Sequence, residues 1–190
     1  MPRKWQYLQS RRERGLSILT LRTDRAVSPR TGETHDFHIL ESPPWVNILP
    51  LTRQEEVVLV RQQRHGIREA TLELPGGLVE AGDTPRNAAL REMREESGYE
   101  PGRVSLLGTV HPNPAFLDNL CHMYLCREAT PTAEQDLDEK EDICIETRPL
   151  QEIPGMIKDG TITHSLVLCA FFYFFLSSPH LFPREQPGTE

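Results

Sequence analysis

The chain has 190 residues and a mass of 21.7 kDa, a size that fits one domain with a sizeable core and excludes two large domains. Its 28 acidic residues outnumber its 21 Lys and Arg residues, and the net charge of −7 argues against a surface that covers nucleic-acid phosphates. The four cysteines form no CxxC pair, which argues against a zinc site, and the basic N-terminal segment lacks the apolar stretch of a secretory signal. A cytoplasmic protein without a nucleic-acid partner is therefore expected.

Apolar alternation and β-branched residues predict a series of strands, most of them without an intervening helix. The predicted strands cover residues 16–21, 37–40, 46–51, 57–62, 104–110, 120–126 and 143–147. Helical patterns are predicted over residues 85–97, 150–158 and 165–176. This order predicts an α+β fold rather than regular βαβ alternation.

The domain organisation is predicted from turn signals and from one apolar stretch. Residues 165–178 are the most apolar part of the chain but fall short of the roughly 17 to 25 residues that span a bilayer, so we predict a buried helix and no membrane association. The Pro-containing turn at residues 42–44 indicates a boundary. We therefore predict an N-terminal strand unit over residues 1–43, a main domain over residues 44–180 and a disordered tail over residues 181–190.

Residues 74–99 (LPGGLVEAGDTPRNAALREMREESGY) carry the most informative pattern, a strand end followed by a glycine loop and a capped helix. Thr84 is suited to the N-cap, Pro85 to the first helical position and Gly98 to the left-handed stop at the C-terminus. The sequence therefore predicts both limits of this helix.

Helical periodicity places Glu92, Glu95 and Glu96 on one arc of this helix. Like charges at this spacing destabilise a helix by roughly 0.2 to 0.5 kcal/mol per pair, and a divalent cation would remove the repulsion. Mg²⁺ prefers carboxylate, carbonyl and water oxygens, and the backbone carbonyls of Gly76 and Gly77 are further candidate ligands. An ordinary acidic helix face and a tight glycine turn are the alternative interpretations.

The same region resembles the Nudix box, a glycine, five residues, an acid, seven residues and then Arg-Glu-apolar-x-Glu-Glu-x-Gly-apolar. The residues that carry the resemblance are Gly77, Asp83, Arg91, Glu92, Met93, Glu95, Glu96, Gly98 and Tyr99. The family usually has Glu where this chain has Asp83, and the resemblance implies that this acid supports Arg91. It also implies a Nudix-type α/β/α sandwich with a mixed sheet, with Mg²⁺ or Mn²⁺ held by Glu92, Glu95 and Glu96.

Three further segments resemble the ADP-ribose pyrophosphatase branch of that family: residues 58–64 (VLVRQQR), 72–77 (LELPGG) and 157–162 (IKDGTI). In that branch the N-terminal strands often form a swapped antiparallel unit, so the resemblance implies a homodimer. It also implies hydrolysis of a nucleoside diphosphate linked to another moiety, with ADP-ribose cleaved to AMP and ribose 5-phosphate as the leading expectation.

Two alternative functions remain open. One is hydrolysis of another substrate, such as a nucleotide sugar, a dinucleotide or a nucleoside triphosphate. The other is a Nudix-fold ligand sensor that binds without cleaving. A sensor would be free to lose acids of the box, so the presence of Glu92, Glu95 and Glu96 favours catalysis.

We expect Glu95, Glu96 and Arg91 to act in catalysis together with Asp118. The branch commonly has a glutamate base in the loop after the box, but residues 111–119 contain no Glu, and Asp118 is the nearest acid. An Asp beside an Asn is also common in turns. If Asp118 is not the base, the next candidates are Glu139 or Glu141 in the acidic stretch of residues 134–142, or one of the box glutamates.

Two residues are predicted to bind the substrate. Arg64 is a candidate clamp for the diphosphate, because a guanidinium matches the geometry of phosphate oxygens. A surface charge at a strand end is the alternative. Trp45 could stack on a base, although an aromatic residue beside Pro44 at the start of a strand more often packs internally.

Overall fold

The computed structural model describes residues 3–181, in which runs of consecutive strands are separated by few helices, as expected for an α+β chain. The strands are β1 (Gln6–Leu16), β2 (Leu19–Val27), β3 (Thr34–Glu41), β4 (Trp45–Leu51), β5 (Glu56–Arg64), β6 (Glu69–Glu73), β7 (Tyr99–Glu100), β8 (Arg103–Val110), β9 (Cys121–Arg127), β10 (Thr130–Pro131) and β11 (Ile143–Pro149). The helices are α1 (Pro85–Ser97), α2 (Ile153–Lys158) and α3 (Ser165–Ser177). The predicted fold class is confirmed. Apart from Leu181, the predicted tail at residues 181–190 lies outside the described residues.

The chain divides into two compact units. The first, here called the strand unit, comprises the residues up to Pro44 together with Val110–Leu120. It contains a three-stranded antiparallel sheet in the order β1-β2-β3, so β1 is an edge strand. The segment Val110–Leu120 also belongs to this unit, although it is remote in sequence. The single boundary predicted at residues 42–44 does not account for this segment.

The predicted strand at residues 16–21 has the wrong limits: its first residue ends β1, its last three begin β2, and a hairpin turn separates them. β1 ends at Leu16 and β2 begins at Leu19, and Ser17 has a φ of 57°, in the left-handed region. Apolar alternation misled the prediction, since the apolar residues cluster around the turn. The strand that precedes it, β1, is largely polar (QYLQSRRERGL) and gives no strand pattern.

The second unit, here called the box unit, contains a six-stranded mixed sheet in the order β11-β5-β4-β9-β8, with β6 paired to β5. β4 and β9 are parallel, whereas β5 is antiparallel to β4, β6 and β11. β6 was predicted only as a strand end before the glycine loop, without its limits. Its place beside β5 matters because the chain leaves β6 directly into the glycine loop that precedes α1.

Helices α1 and α3 both pack on the central strands β4 and β9. The apolar face of α1, with Ala89 and Met93, packs on a cluster that includes Val46 and Ile48. Leu49, which points to the opposite face of β4, is also fully buried, as expected for a strand covered on both faces. The apolar stretch at residues 165–178 thus forms a helix with one buried face, and no helix within residues 3–181 is long and apolar enough to cross a membrane.

Candidate active site

Helix α1, here called the box helix, begins and ends where its capping residues predict. Thr84 is the N-cap, and its side chain accepts a hydrogen bond at 3.2 Å from the backbone N–H of Asn87. Gly98 has a φ of 64°, and its N–H donates to the carbonyl of Arg94 at 2.7 Å. Both caps satisfy backbone groups that a helix end leaves unpaired. The acids of α1 are therefore fixed in position relative to the loop before it.

The glycine loop approaches α1 so closely that side chains at two of its positions would collide with their neighbours. A Cβ on Gly77 would meet the carboxylate of Glu92, and a Cβ on Gly76 would meet the backbone of β4 at Val46. The N–H of Gly76 donates a hydrogen bond to Glu96 Oε2 at 2.8 Å. Two of the predicted metal ligands on α1 thus lie directly against this backbone.

Arg91 joins the acids of α1 to the same loop. Its Nη1 donates to Glu95 Oε2 at 2.8 Å, its Nη2 lies 3.0 Å from Glu92 Oε1, and Nη2 also donates to the carbonyl of Leu78 at 3.1 Å. Asp83, expected to support Arg91, instead accepts a hydrogen bond from the N–H of Thr84 at 2.7 Å. Within residues 3–181 Asp83 makes no hydrogen bond or ion pair with Arg91, which is consistent with its shorter side chain.

Glu92, Glu95 and Glu96 are here called the box acids, and burial is the main cause of the raised pKa values of Glu92 and Glu96. It raises the pKa of Glu92 to about 7, against the attraction of Arg91, and the pKa of Glu96 to about 8, against the hydrogen bond from Gly76. The charge of Glu141 also raises both pKa values. Two carboxyl groups held beside each other in a poorly solvated place favour a positive partner.

The donors present here suit a hard divalent cation, because they are carboxylate and backbone carbonyl oxygens. Glu92, Glu95 and Glu96 do not converge on one point, and within residues 3–181 no three His, Cys, Asp or Glu side chains form a ready metal cluster. Arg91 holds Glu95, and Gly76 holds Glu96. The side chains would have to turn to share an ion.

The two candidate glycine carbonyls differ in availability. The carbonyl of Gly77 accepts a hydrogen bond from the N–H of Val46 at 2.9 Å. Within residues 3–181 the carbonyl of Gly76 accepts none. Gly76 is therefore the better placed of the two for coordinating a cation.

Arg64, the predicted clamp, is paired with a buried acid on the neighbouring strand. Its Nε and Nη2 donate to the two carboxylate oxygens of Glu73 at 2.7 and 2.6 Å. The Arg64 side chain is 43% exposed, whereas that of Glu73 is 3% exposed. The charge of Glu96 contributes to raising the pKa of Arg64, which is consistent with a position near Glu96.

Trp45 and Asp118 have different surroundings. Trp45 is half-buried at the start of β4, where it bridges to Leu78 of the glycine loop. Asp118 belongs to the strand unit, where its carboxylate lies 3.2 Å from Arg22 Nη1 and accepts a hydrogen bond at 3.2 Å from the N–H of Ser42. Stacking by Trp45 and base catalysis by Asp118 stay predictions.

The acidic stretch at residues 134–142 is attached to the C-terminal end of α1. The amide of Gln135 donates to the carbonyls of Glu96 and Ile143 at 2.5 and 3.2 Å. The N–H of Asp136 donates to the carbonyl of Glu95 at 2.9 Å. The sequence analysis missed Gln135 and also Glu73. A lone acid within an apolar strand, as in LELPGG, was an available signal for Glu73.

The family model of the NUDIX domain matches residues 42–171 of this chain. A methanol dehydrogenase activator of Bacillus methanolicus is 30% identical over 84% of this chain and 86% of its own length. An ADP-ribose pyrophosphatase of Bacillus subtilis is 26% identical, covering 76% of this chain and 79% of its own.

Two further matches extend the comparison. A hydrolase of Streptomyces rubellomurinus, named for CMP-5'-(N-acetyl-N-hydroxy-3-aminopropyl)phosphonate, is 31% identical over 83% of this chain and 74% of its own length. A crystal structure of an ADP compounds hydrolase has the same fold, with a TM-score of 0.82 over 95% of this chain and 97% of that one, at 18% identity. The resemblance of the glycine loop and α1 to the Nudix box is thus confirmed over most of the chain, which belongs to the Nudix hydrolase family.

Proposed function

We propose that this chain uses Mg²⁺ or Mn²⁺ to hydrolyse ADP-ribose to AMP and ribose 5-phosphate. The observation that carries this proposal is the burial of Glu92 and Glu96 against the backbone of the glycine loop, with Arg64 near enough to Glu96 for the two charges to interact. Acidic side chains near an exposed guanidinium suit a cation and a diphosphate together. The relative from Bacillus subtilis, named an ADP-ribose pyrophosphatase, supports the choice of substrate.

In this proposal Glu92, Glu95, Glu96 and the carbonyl of Gly76 would hold the cation. A bound cation would neutralise the diphosphate and lower the pKa of a coordinated water. Arg64 binds a phosphate oxygen, and Arg91 keeps Glu92 and Glu95 at the glycine loop. Trp45 is retained as a candidate for stacking on the base.

A base must take a proton as water attacks phosphorus and one P–O bond of the diphosphate breaks. Asp118 is the sequence-based choice, but both of its oxygens already have partners, Arg22 and Ser42. Glu141 is exposed, belongs to the loop fixed to α1, and acts electrostatically on Glu92 and Glu96. Its Oε2 accepts a hydrogen bond from the N–H of Asp138, and its charge acts on the two buried box acids, which favours Glu141 as the base.

The test is a turnover screen over ADP-ribose, a nucleotide sugar, a dinucleotide, a nucleoside triphosphate and a CMP-linked phosphonate, each with Mg²⁺ and with Mn²⁺. Chromatography of the products is expected to show AMP and ribose 5-phosphate as the fastest-formed pair. A clear preference for another compound would overturn the substrate. Tight binding of ADP-ribose without any turnover would favour the sensor.

A further inference from the structure

The carboxylate of Glu73 is the most fully enclosed charge beside the candidate site. It lies at the end of β6, and its two oxygens accept hydrogen bonds from Arg64. The hydroxyl of Thr71 donates a third hydrogen bond to Oε1 at 2.5 Å. A buried carboxylate is costly unless it is paired and hydrogen-bonded, and Glu73 meets both conditions. Its orientation is therefore fixed by the hydrogen bonds from Arg64 and Thr71, and His164 Nε2 lies 3.8 Å from Oε2 as a third neighbour.

The manner of pairing leaves one edge of the Arg64 guanidinium available. Glu73 engages the edge formed by Nε and Nη2. Within residues 3–181 the Nη1 of Arg64 makes no hydrogen bond, and the side chain remains 43% exposed. Arginine carries five N–H donors in a planar fork, so the second edge, formed by Nη1 and Nη2, can still bind a phosphate through two hydrogen bonds.

We propose that Glu73 is a positioning residue that turns this free edge of Arg64 toward the substrate's diphosphate. Glu73 touches no substrate in this arrangement. It acts by fixing the plane of the guanidinium, with Thr71 fixing the carboxylate in turn. The inference rests on the proposed function, because it needs a diphosphate bound beside α1.

A lone arginine at the end of β5 would sample many rotamers, and ordering it on binding would cost free energy. Held by Glu73, it is already oriented when the substrate arrives. Preorganisation of this kind strengthens binding by removing an ordering cost. Loss of Glu73 should therefore weaken substrate binding more than it slows the chemical step.

The experiment compares Glu73→Gln, Arg64→Ala and the double variant. We expect Glu73→Gln to raise KM for ADP-ribose by about tenfold, as for the loss of one charge-assisted hydrogen bond, with kcat changed by less than about twofold. The Kd for a non-hydrolysable α,β-methylene analogue of ADP-ribose, measured by calorimetry, should rise in parallel. In the Arg64→Ala background, Glu73→Gln should add nothing.

Two controls separate positioning from a structural role. Glu146→Gln breaks the pair between Glu146 on β11 and Arg61, which lies on β5 like Arg64. This variant should leave KM unchanged. Thr71→Val keeps both charges and removes only the third hydrogen bond, so it should raise KM in the same direction by a smaller factor. Thr71→Val therefore tests the positioning role even if Glu73→Gln folds poorly.

Each outcome has a distinct meaning. Wild-type protein that neither cleaves ADP-ribose nor binds the analogue overturns the proposed function and this inference with it. Wild-type turnover with unchanged KM and Kd in Glu73→Gln and Thr71→Val overturns the positioning role alone. An additive effect in the double variant, or a weaker response to Mg²⁺ in Glu73→Gln, would show that Glu73 acts through the glycine loop and would also overturn the role.

Discussion

Glu96 in the last turn of α1 accepts a hydrogen bond at 2.8 Å from the backbone N–H of Gly76 in the glycine loop. The bond ties the helix to the loop through a group that is also a predicted metal ligand. Glutamine at this position keeps an oxygen that can accept the same hydrogen bond, but it carries no charge. Glu96→Gln therefore removes the charge of this side chain and keeps the hydrogen bond from Gly76.

We predict that Glu96→Gln and Glu95→Gln each abolish most of the Mg²⁺-dependent turnover while the fold is retained. Removal of a ligand charge should lower kcat by on the order of 100-fold or more, since a bound metal contributes several kcal/mol to stabilising the transition state. Activity is measured across a Mg²⁺ titration, and the fold is checked by circular dichroism. Glu100→Gln, an exposed acid just beyond α1, is the control. Near wild-type activity at limiting Mg²⁺ would show that the residue is not a ligand.

The raised pKa values of Glu92 and Glu96 predict a pH-dependent stability in the absence of metal. In the folded protein these carboxyl groups keep their protons up to about pH 7 and about pH 8, whereas in the unfolded chain they ionise near 4.5. Unfolding then releases protons between these values. The free energy of unfolding is expected to fall as the pH rises from about 5 to about 8.

Thermal melting in EDTA at several pH values measures how steeply the stability falls as the pH rises. Glu96→Gln should flatten this slope, whereas Glu100→Gln should leave it unchanged. Mg²⁺ should raise the melting temperature more at pH 8 than at pH 6, because the cation binds the ionised carboxylates. A slope that is equal in wild type and Glu96→Gln would contradict the assignment of this proton to Glu96.

The identity of the base is tested by two matched variants. We expect Glu141→Gln to lower kcat by about 10² to 10⁴, the usual range for loss of a general base, with little change in the Mg²⁺ response. Asp118→Asn should then lower kcat by less than about threefold. The reverse pattern would restore Asp118 as the base. Glu139→Gln, in the same acidic stretch, tests whether any loss is specific to one residue.

The edge strand β1 leads us to predict a homodimer built through the strand unit. Tyr7 and Leu8 on this strand are 65% and 53% exposed, and an unpaired strand edge readily pairs with another chain. We expect light scattering to give twice the chain mass for the wild type. The double substitution of Tyr7→Glu and Leu8→Glu should halve it. Ile67→Glu, an equally exposed apolar position after β5, should not. A monomeric wild type would exclude the dimer.

Local signals in the sequence were sufficient to predict the box helix and most strands of the box unit. Thr84, Pro85 and Gly98 each determine the backbone of their own position, so the limits of α1 followed from them. The central strands β4, β5 and β9 are buried and apolar, and their patterns also agreed with the structure. The exposed, polar strand β1 has no such pattern and was missed.

Pairing between distant residues could not be predicted in the same way. The chain gives no sign that Glu73 would pair with Arg64, because their contact depends on the register between β5 and β6. Gln135 is likewise an ordinary polar residue until the loop returns to the end of α1. The box acids could be named from spacing alone, whereas the residues that orient their neighbours required three-dimensional contacts.

The two hydrogen bonds donated by Gln135 anchor the beginning of the acidic stretch at both α1 and β11. The N–H of Asp136 adds a third bond to α1, and between Asp136 and Ile143 the hydrogen bonds of the backbone are those of the local turn from Asp138 to Glu141. This short span can therefore lengthen or shorten without disturbing the helix or the sheet, since its two ends are held independently of its length. Because the span also carries Glu141, insertions and deletions placed there would shift this carboxylate relative to Glu92 and Glu96 while the helix and the sheet stay in place.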